Sequence, residues 1–428
     1  MTIQPFSAIG LGVLALFAVC MALIILEAKL RMDKCKPALT MLAALPMIGL
    51  YYFFAGDDAA RFAPFMAMQA ELKEELFALI AFMALMWMMV ELLAERGVFA
   101  GLVGFLAARG LGAKGMFWAT GALSAALSPF LNNITTAMIF GKAIKHISGN
   151  KNYTHIALCN IILASNSGVW FLGTATSLMV VLAGKIQLAG LLMLLPAAVA
   201  GWVAGALVLQ YGYLDRLPGN LLHVAKDNSA IKPGGLGMIL IAVLAVGLMV
   251  AANIALHVDV EFGLGAGLGM VLLYTWTLQR RGENIPLLVQ LQKVEWNTLL
   301  FFIGVIGGVA ALNHVGWLGY VSQLFETLSP TWVNMILGLV SGVLDNVPVE
   351  AAALMSAPDL LPSQWALNAL MVGIGGSLTV IGSAAGVVVM SLERSYTFVA
   401  HLRFWPAILT NFLVSLAAWY VQFEVFAR

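Results

Sequence analysis

The chain has few charged residues and very little cysteine. Of its 428 residues, 10% are Asp, Glu, Lys or Arg, against about 25% in soluble domains. The 22 basic and 21 acidic side chains nearly cancel, so no basic surface is available for nucleic acid. The three cysteines, Cys20, Cys35 and Cys159, have no paired spacing, which excludes a disulfide framework and a CxxC metal site. A soluble enzyme, a disordered protein and a nucleic-acid binder are therefore excluded.

What the chain has instead is hydrophobic sequence. Apolar residues make up 61% of it and the mean hydropathy is +0.94, as in proteins embedded in the lipid bilayer. A membrane-spanning helix needs about 20 mostly apolar residues. Uninterrupted apolar segments occur at residues 10–25, 39–54, 76–93, 189–211, 238–256, 264–278, 298–312 and 405–421.

Four further apolar segments are interrupted by polar residues. Segments 117–147 and 332–356 carry Pro, Asn or Asp at their centres, and segments 157–183 and 367–392 carry Ser, Asn and Gly clusters. Lys and Arg concentrate in alternate loops, which are expected to face the cytoplasm. If segments 117–147 and 332–356 enter and leave on one side, every basic loop is cytoplasmic. The sequence therefore predicts an all-α polytopic membrane protein with about ten transmembrane helices, two re-entrant hairpins, two broken helices and both termini outside.

The two halves of the chain resemble each other weakly. Residues 131–134 match residues 344–347, and residues 173–175 match residues 382–384. Each half holds an odd number of spans plus a hairpin, so the second half is inverted relative to the first. Inverted repeats with broken helices are typical of secondary transporters. We predict a first half at 1–214, a cytoplasmic linker at 215–235 and a second half at 236–428.

The interruptions predict a binding site. Irregular backbone survives in hydrocarbon only where it lines a cavity, and hairpin tips and unwound helices supply oxygen ligands. Such oxygens suit a cation like Na⁺, whereas half-helix N-termini favour an anion, and the backbone pattern alone allows both. The candidate site-lining residues are Asn132, Asn133, Thr135, Thr136, Gly173, Thr174, Asn346, Gly382 and Ser383.

Two acidic residues favour a cation. Asp345 lies at the predicted tip of the second hairpin and Glu350 lies five residues further on. An ionised acid at the bilayer centre costs about 2.5–3.5 kcal/mol even on the lenient insertion scale. We therefore predict Asp345 as cation ligand and proton carrier and Glu350 as a possible second carrier. Glu91 is interpreted as structural or interfacial, and a pH role for His314 is a weaker hypothesis.

Three segments resemble the NhaD-type sodium/proton antiporters of the ion transporter superfamily. Residues 128–137, SPFLNNITTA, resemble that family's SPFLDNLTTA, residues 345–348 its DNVP, and residues 381–387 its IGSAAGV. The resemblance implies a scaffold domain, a transport domain of two hairpins and two broken helices, homodimers and elevator-type movement. It also implies exchange of Na⁺ or Li⁺ for H⁺ without a cofactor, with Asp345, Asn132 and Asn346 as candidate Na⁺ ligands.

The sequence departs from that family at three positions. Asn132 and Thr174 stand where an acid is expected, and Glu350 stands where an aliphatic residue is expected. The first half therefore offers oxygens but no charge. We predict a secondary active Na⁺/H⁺ antiporter of the inner membrane. The alternative is a carrier of an anionic or neutral solute on the same fold. An intramembrane enzyme is remote, because the sequence has no HExxH and no GxSxG with a usable His.

Overall fold

A computed structural model describes residues 3–30, 32–54, 59–218, 221–222, 231–356 and 358–426. These residues form helices, and their sole β-pairing is an isolated bridge between Ser148 and Leu222. The all-α polytopic prediction is confirmed. Within the described ranges, seven helical segments are long and apolar enough to cross a membrane: Ala8–Ile25, Cys35–Phe54, Phe62–Glu95, Leu188–Arg216, Gly235–Leu256, Trp296–His314 and Trp405–Val425. The figure of about ten spans stays a prediction, as do the two re-entrant hairpins.

The first half of the described chain contains α1 (Ala8–Ile25), α2 (Glu27–Leu30), α3 (Cys35–Met41), α4 (Ala44–Phe54), α5 (Ala59–Glu95), α6 (Val98–Ala108), α7 (Ala113–Leu131), α8 (Asn133–Ile147), α9 (Lys151–Asn166), α10 (Ala175–Leu182), α11 (Leu188–Leu192) and α12 (Leu195–Gly212). A 3₁₀ turn at Leu214–Arg216 follows. Of the predicted linker, residues 219–220 and 223–230 lie outside the described residues.

The second half contains α13 (Gly235–Leu256), α14 (Val260–Arg280), α15 (Leu287–Lys293), α16 (Trp296–His314), α17 (Gly319–Thr327), α18 (Pro330–Leu344), α19 (Asn346–Met355), α20 (Pro362–Gly375), α21 (Ala384–Leu392), α22 (Phe398–Leu402) and α23 (Trp405–Tyr420). A π-helical turn at Val421–Val425 ends it. The chain leaves the helical conformation inside each of the four interrupted segments. The breaks lie at Asn132, at 167–174, at Asp345 and at 376–383.

The helices of the two halves pack in reciprocal pairs. Helix α7 packs on α9 as α18 packs on α20, and α12 packs on α23. Helix α8 of the first half packs on α21 of the second, and α19 of the second half packs on α10 of the first. A hairpin helix of each half thus packs on a broken helix of the other half. The two hairpins, α7–α8 and α18–α19, and the two broken helices, α9–α10 and α20–α21, pack together around the candidate site. We call them the hairpin unit.

The two hairpin tips share an unusual backbone conformation. Asn132 has φ 68° and ψ 163°, and Asp345 has φ 70° and ψ 149°. They are two of the three non-glycine residues with positive φ in the described chain, His257 being the third. This region of the Ramachandran plot is nearly restricted to glycine and costs about 1–3 kcal/mol per residue. Strain of the same kind at matched positions supports the repeat, and such strain is often found at functional sites.

Small residues let α3 lie close to α16. A Cβ on Gly304 would be 2.2 Å from the backbone of Ala38, and one on Gly308 would be 2.8 Å from Met41 Cβ. Small residues four apart are the usual means of close helix approach in membranes. The approach fixes the start of α3, and with it Lys34, against the first turns of α16.

A buried arginine anchors the end of the linker. Arg96 is 1% exposed, donates to Glu283 Oε2 at 2.9 Å and contacts the Pro233 carbonyl at 3.4 Å. Its own carbonyl accepts from Lys232 N at 2.9 Å. These bonds tie the end of α5 to the start of α13 and to the loop after α14, so they join the two halves outside the hairpin unit.

The packing of α18 on α20 gives a first prediction. A Cβ on Gly375 would lie 2.0 Å from the Gly338 carbonyl oxygen, whereas one on Gly247 of α13 would meet nothing within 4 Å. Forcing atoms into a packed core costs about 1–3 kcal/mol. We expect Gly375→Ala to lower the thermal melting temperature of the detergent-purified protein by several degrees. Gly247→Ala is the control and should leave it unchanged or higher. Equal melting temperatures for the two variants would contradict this packing.

Candidate functional site

The first hairpin tip is organised by Asn132. Its Oδ1 accepts from Thr135 N at 2.8 Å, and its carbonyl accepts from Thr136 Oγ1 at 2.7 Å. The side chain is therefore the N-cap of α8. Asn132 is 4% exposed, and its Nδ2 is buried without a hydrogen-bond partner in the described chain. Two of the predicted site residues, Thr135 and Thr136, thus bind the tip itself in this state.

The second hairpin tip is organised differently, around a charge pair. Asp345 does not cap α19 with its side chain. Its Oδ2 instead accepts from Lys34 Nζ at 2.9 Å, across 311 residues of sequence. Lys34 Nζ also lies 4.1 Å from the centre of the Phe301 ring on α16. Both side chains are largely buried, at 15% and 9% exposure. The loop after α1 therefore supplies the counter-ion of the acid at the second tip.

Further acids surround this ammonium. Burial alone would lower the pKa of Lys34, but the charges of Asp345, Glu27 and Glu295 together raise it. Burial raises the pKa of Glu27 and of Glu295. The neighbouring acids therefore favour the charged form of Lys34. The second tip carries a stable ion pair where the first tip carries only amides.

A polar network joins the two halves beside the tips. Asn133 Nδ2 donates to Asn166 Oδ1 at 2.9 Å. Asn166 Nδ2 donates to Ser377 Oγ and to Ser383 Oγ, each at 2.9 Å. The network thus connects the first tip, the end of α9 and the break between α20 and α21. The structure brings the predicted residues Asn133 and Ser383 together through Asn166.

The breaks lie against the hairpins in both halves. Four residues before each tip a serine donates to the neighbouring broken helix, Ser128 to the Ser165 carbonyl at 2.5 Å and Ser341 to the Val372 carbonyl at 2.7 Å. Gly173 and Gly382 lie where a Cβ would meet hairpin backbone at 2.3 Å and 2.7 Å. Only glycine permits these approaches. Predicted Thr174 is buried and bonds Ser177.

The other predicted residues have distinct surroundings. Asn346 is 5% exposed next to Asp345, and Glu350 is fully buried in α19. His314 bonds Tyr52 Oη at 3.1 Å, and Glu91 is half-buried on α5. No group of three or more His, Cys, Asp or Glu within the described ranges could hold a metal ion, so a cation at this site would rely on amide, hydroxyl and carbonyl oxygens beside one carboxylate.

An acid-rich cavity lies beside α10 and α19. It has a volume of about 560 Å³ and includes Met179, Ala351 and Leu354 in its wall. Five carboxylic acids also line it: Glu71, Glu74, Glu75, Asp259 and Glu261. A concave surface with one sign of charge raises the local concentration of the opposite ion. The cavity therefore favours cations at the boundary between the hairpin unit and α5, α14 and α16.

Sequence reasoning missed Lys34, which it placed in a basic loop expected to face the cytoplasm, and it did not predict Asn166, Asn334 or Asn368 as site residues. Asn334 and Asn368 are fully buried near Glu350. The sequence did carry a signal for the three asparagines, because each lies inside an apolar segment. A buried amide there needs a hydrogen-bond partner. Lys34 had no such signal, because its role depends on a contact between distant parts of the chain.

The ion pair gives a second prediction. In a double-mutant cycle with Lys34→Met and Asp345→Asn, each single change leaves a buried group without its partner. We expect a coupling energy of about 0.5–3 kcal/mol in unfolding of the detergent-purified protein. The raised pKa of Lys34 means that the coupling persists at alkaline pH and falls only above the ordinary lysine range.

The control cycle uses Lys145 and Glu393, an ion pair at 3.5 Å in which Lys145 is 51% exposed. Exposed pairs contribute about 0–1 kcal/mol. A coupling for Lys34 and Asp345 no larger than that of this control pair would contradict the buried ion pair.

Comparison with known proteins identifies the family. The family model described as "Citrate transporter" matches residues 21–373. The "Na(+)/H(+) antiporter NhaD" of Alkalimonas amylolytica is 31% identical over 96% of this chain and 90% of its own length. Proteins of the same name from Halomonas elongata and Vibrio cholerae are 31% and 30% identical over 95% and 96% of the chain, and 87% and 91% of their own lengths.

These relatives are transporters, not enzymes, and their similarity extends over nearly the whole chain, including both tips and both broken helices. The chain is a multi-pass membrane protein, and it belongs to the family of NhaD-type sodium/proton antiporters.

Proposed function

We propose that the protein is a secondary active transporter that exchanges Na⁺ or Li⁺ for H⁺ across the inner membrane. The observation that carries this proposal is Asp345, a largely buried carboxylate at a strained hairpin tip in a chain similar over its full length to proteins named Na⁺/H⁺ antiporter. A carboxylate in such a place can hold either a cation or a proton. Competition between the two for one group is the simplest basis for exchange.

Lys34 determines how a cation reaches Asp345. Two unit charges of the same sign about 4 Å apart repel by roughly 4 kcal/mol at an effective dielectric of 20. Na⁺ and the Lys34 ammonium therefore cannot both lie against this carboxylate at low cost. We propose that the ion displaces Lys34, and that Asn132 and Asn346 supply further oxygens. The acid-rich cavity would collect cations on the side expected to face outward.

The proposed movement is of the elevator type. The hairpins and broken helices are intertwined by the reciprocal contacts of α8 with α21 and of α19 with α10, which favours their moving as one body. Helices α3, α5, α14 and α16 would form the scaffold. We also propose a homodimer, with both termini on the outer face and the 215–235 linker in the cytoplasm. Cross-linking in native membranes tests the dimer.

A carrier of an anionic or neutral solute is the second candidate. The charge of Lys34 and the absence of an acid at Asn132 and at Thr174 favour it, and the matching family model is described as a citrate transporter. The ion pair argues against a bare anion site, because Asp345 neutralises Lys34 at 2.9 Å. The two candidates differ in their response to added negative charge, so they are separable by mutation.

The central acid gives a third prediction. Asp345→Asn keeps the size of the side chain and removes the charge, so Na⁺ loses its carboxylate and H⁺ its carrier. We expect exchange to fall at least a hundredfold while the protein still inserts. The measurement is the lumenal pH change of proteoliposomes after a Na⁺ or Li⁺ gradient is imposed. Exposed Asp215→Asn is the control. Exchange at the wild-type rate by Asp345→Asn would refute the assignment.

The first tip gives a fourth prediction. Asn132→Asp preserves the N-cap, because Asp caps helices as well as Asn, and adds the acid that the family carries there. We expect tighter Na⁺ binding and a more alkaline pH optimum, since two nearby carboxylates raise each other's proton affinity. Apparent Na⁺ affinity and the pH profile in proteoliposomes are the measurements.

Asn152→Asp is the matched control, because it adds the same charge at an exposed position of α9. An anion carrier would instead lose substrate binding on Asn132→Asp. If affinity and pH optimum both stay at wild-type values, Asn132 does not line the site.

A further inference from the structure

A chain of side-chain amides runs from the buried acid Glu350 to Thr331 in the first turn of α18. Asn368 Nδ2 donates to Asn334 Oδ1 at 2.9 Å. Asn334 Nδ2 donates to the Gln364 carbonyl at 3.0 Å and to Gln364 Oε1 at 3.2 Å. Gln364 Nε2 donates to Thr331 Oγ1 at 3.1 Å. The other end of Asn368, its Oδ1, lies 2.7 Å from Glu350 Oε1.

The backbone carbonyl of Gln364 sets the direction of this chain. A carbonyl oxygen only accepts, so the atom of Asn334 beside it must be Nδ2. Asn334 Oδ1 then faces Asn368, which must present its own Nδ2. Asn368 Oδ1 is left facing Glu350. Two oxygens at 2.7 Å require a proton between them, and Asn368 Oδ1 has none.

The opposite direction fails at the same carbonyl. If the Asn368 amide is turned, its Nδ2 reaches Glu350 Oε1 at 2.7 Å and Oε2 at 3.2 Å, which would suit an ionised acid. Its Oδ1 then lies 2.9 Å from Asn334 Oδ1. If the Asn334 amide is turned as well, Asn334 Oδ1 takes the place of its Nδ2 and lies against the Gln364 backbone carbonyl oxygen. The side chain of Gln364 could turn in response, but its backbone oxygen cannot become a donor.

The surroundings of Glu350 offer no compensating charge. Glu350, Asn334 and Asn368 are fully buried. Helices α10, α18 and α20, which pack on α19, contain no titratable residue, and α16 contains only His314 at its far end, bonded to Tyr52. The nearest acid along the chain, Asp345, is already paired with Lys34. An ionised Glu350 would therefore have neither a cation nor a donor.

We propose that Glu350 is protonated in this state and donates its proton to Asn368 Oδ1, and that Asn334 and Asn368 are positioning residues that hold this proton. The inference rests on the proposed function in one respect. It takes Glu350 to be the second proton carrier of the exchange, seen here with its proton bound. Release of the proton requires both amides to turn, and they can turn only when α18 and α20 separate at the Gln364 carbonyl.

The test is infrared difference spectroscopy of the purified protein, which detects a protonated carboxyl group directly and needs no transport. We expect a carboxylic-acid C=O band at neutral pH that is absent from Glu350→Gln and retained in Asp345→Asn. This measurement does not depend on transported ions. A failure of the antiport assay and a failure to detect the protonated carboxyl group are therefore separate results. Absence of the band from the wild-type protein at neutral pH would overturn the proposal.

Two variants distinguish the effect of the Gln364 backbone carbonyl on the amide direction from a general loss of packing. Asn334→Ala removes the fixed donor, so Asn368 becomes free to turn its Nδ2 toward Glu350. The band should then disappear at a pH at least one unit lower than in the wild type. Gln364→Ala is the matched control, since it shortens a side chain in the same network but keeps the carbonyl, and it should leave that pH unchanged. Asn334→Ser replaces Asn334→Ala if the latter fails to fold. Equal shifts, or no shift in the Asn334 variant, would refute the role of the carbonyl anchor.

Discussion

The ion pair between Lys34 and Asp345 is the interaction on which the site depends. It joins the tip of the second hairpin to the start of α3, and α3 is held in place by the glycines of α16. The hairpin unit cannot move past α16 without breaking this pair. The carboxylate that we propose as the cation ligand therefore also fastens the second hairpin to α3 in this structure.

The two hairpin tips are alike in backbone conformation and unlike in charge. Both tips have φ near 70°, and both are preceded four residues earlier by a serine that binds the adjacent broken helix. At the tips themselves the halves differ, because Asn132 caps its helix whereas Asp345 binds an ammonium. The two tips therefore have equivalent backbone geometry, but only the second tip carries an ionisable side chain.

Much of this arrangement was predictable from sequence because it depends on local features. Pro129 and Asn132, and Asp345 with Pro348, mark turns inside apolar segments, and the structure leaves the helical conformation at Asn132 and Asp345. Lys34 was not predictable, because a lysine after a first span is normally a topological signal in solvent. Its true partner lies 311 residues away, and no local pattern records such a contact.

The protonation of Glu350 depends on its three-dimensional surroundings, although the residue itself stood out in the sequence. Burial makes an acid costly when charged, but burial alone does not say how the protein meets that cost. At Asp345 a lysine supplies the opposite charge. At Glu350, five residues later, the described helices that pack on α19 bring no lysine or arginine. The amides there, whose direction is fixed by one carbonyl, favour the neutral acid. Asp345 and Glu350 thus lie five residues apart in very different surroundings, the first bound to a lysine ammonium and the second facing an amide oxygen that favours the neutral acid.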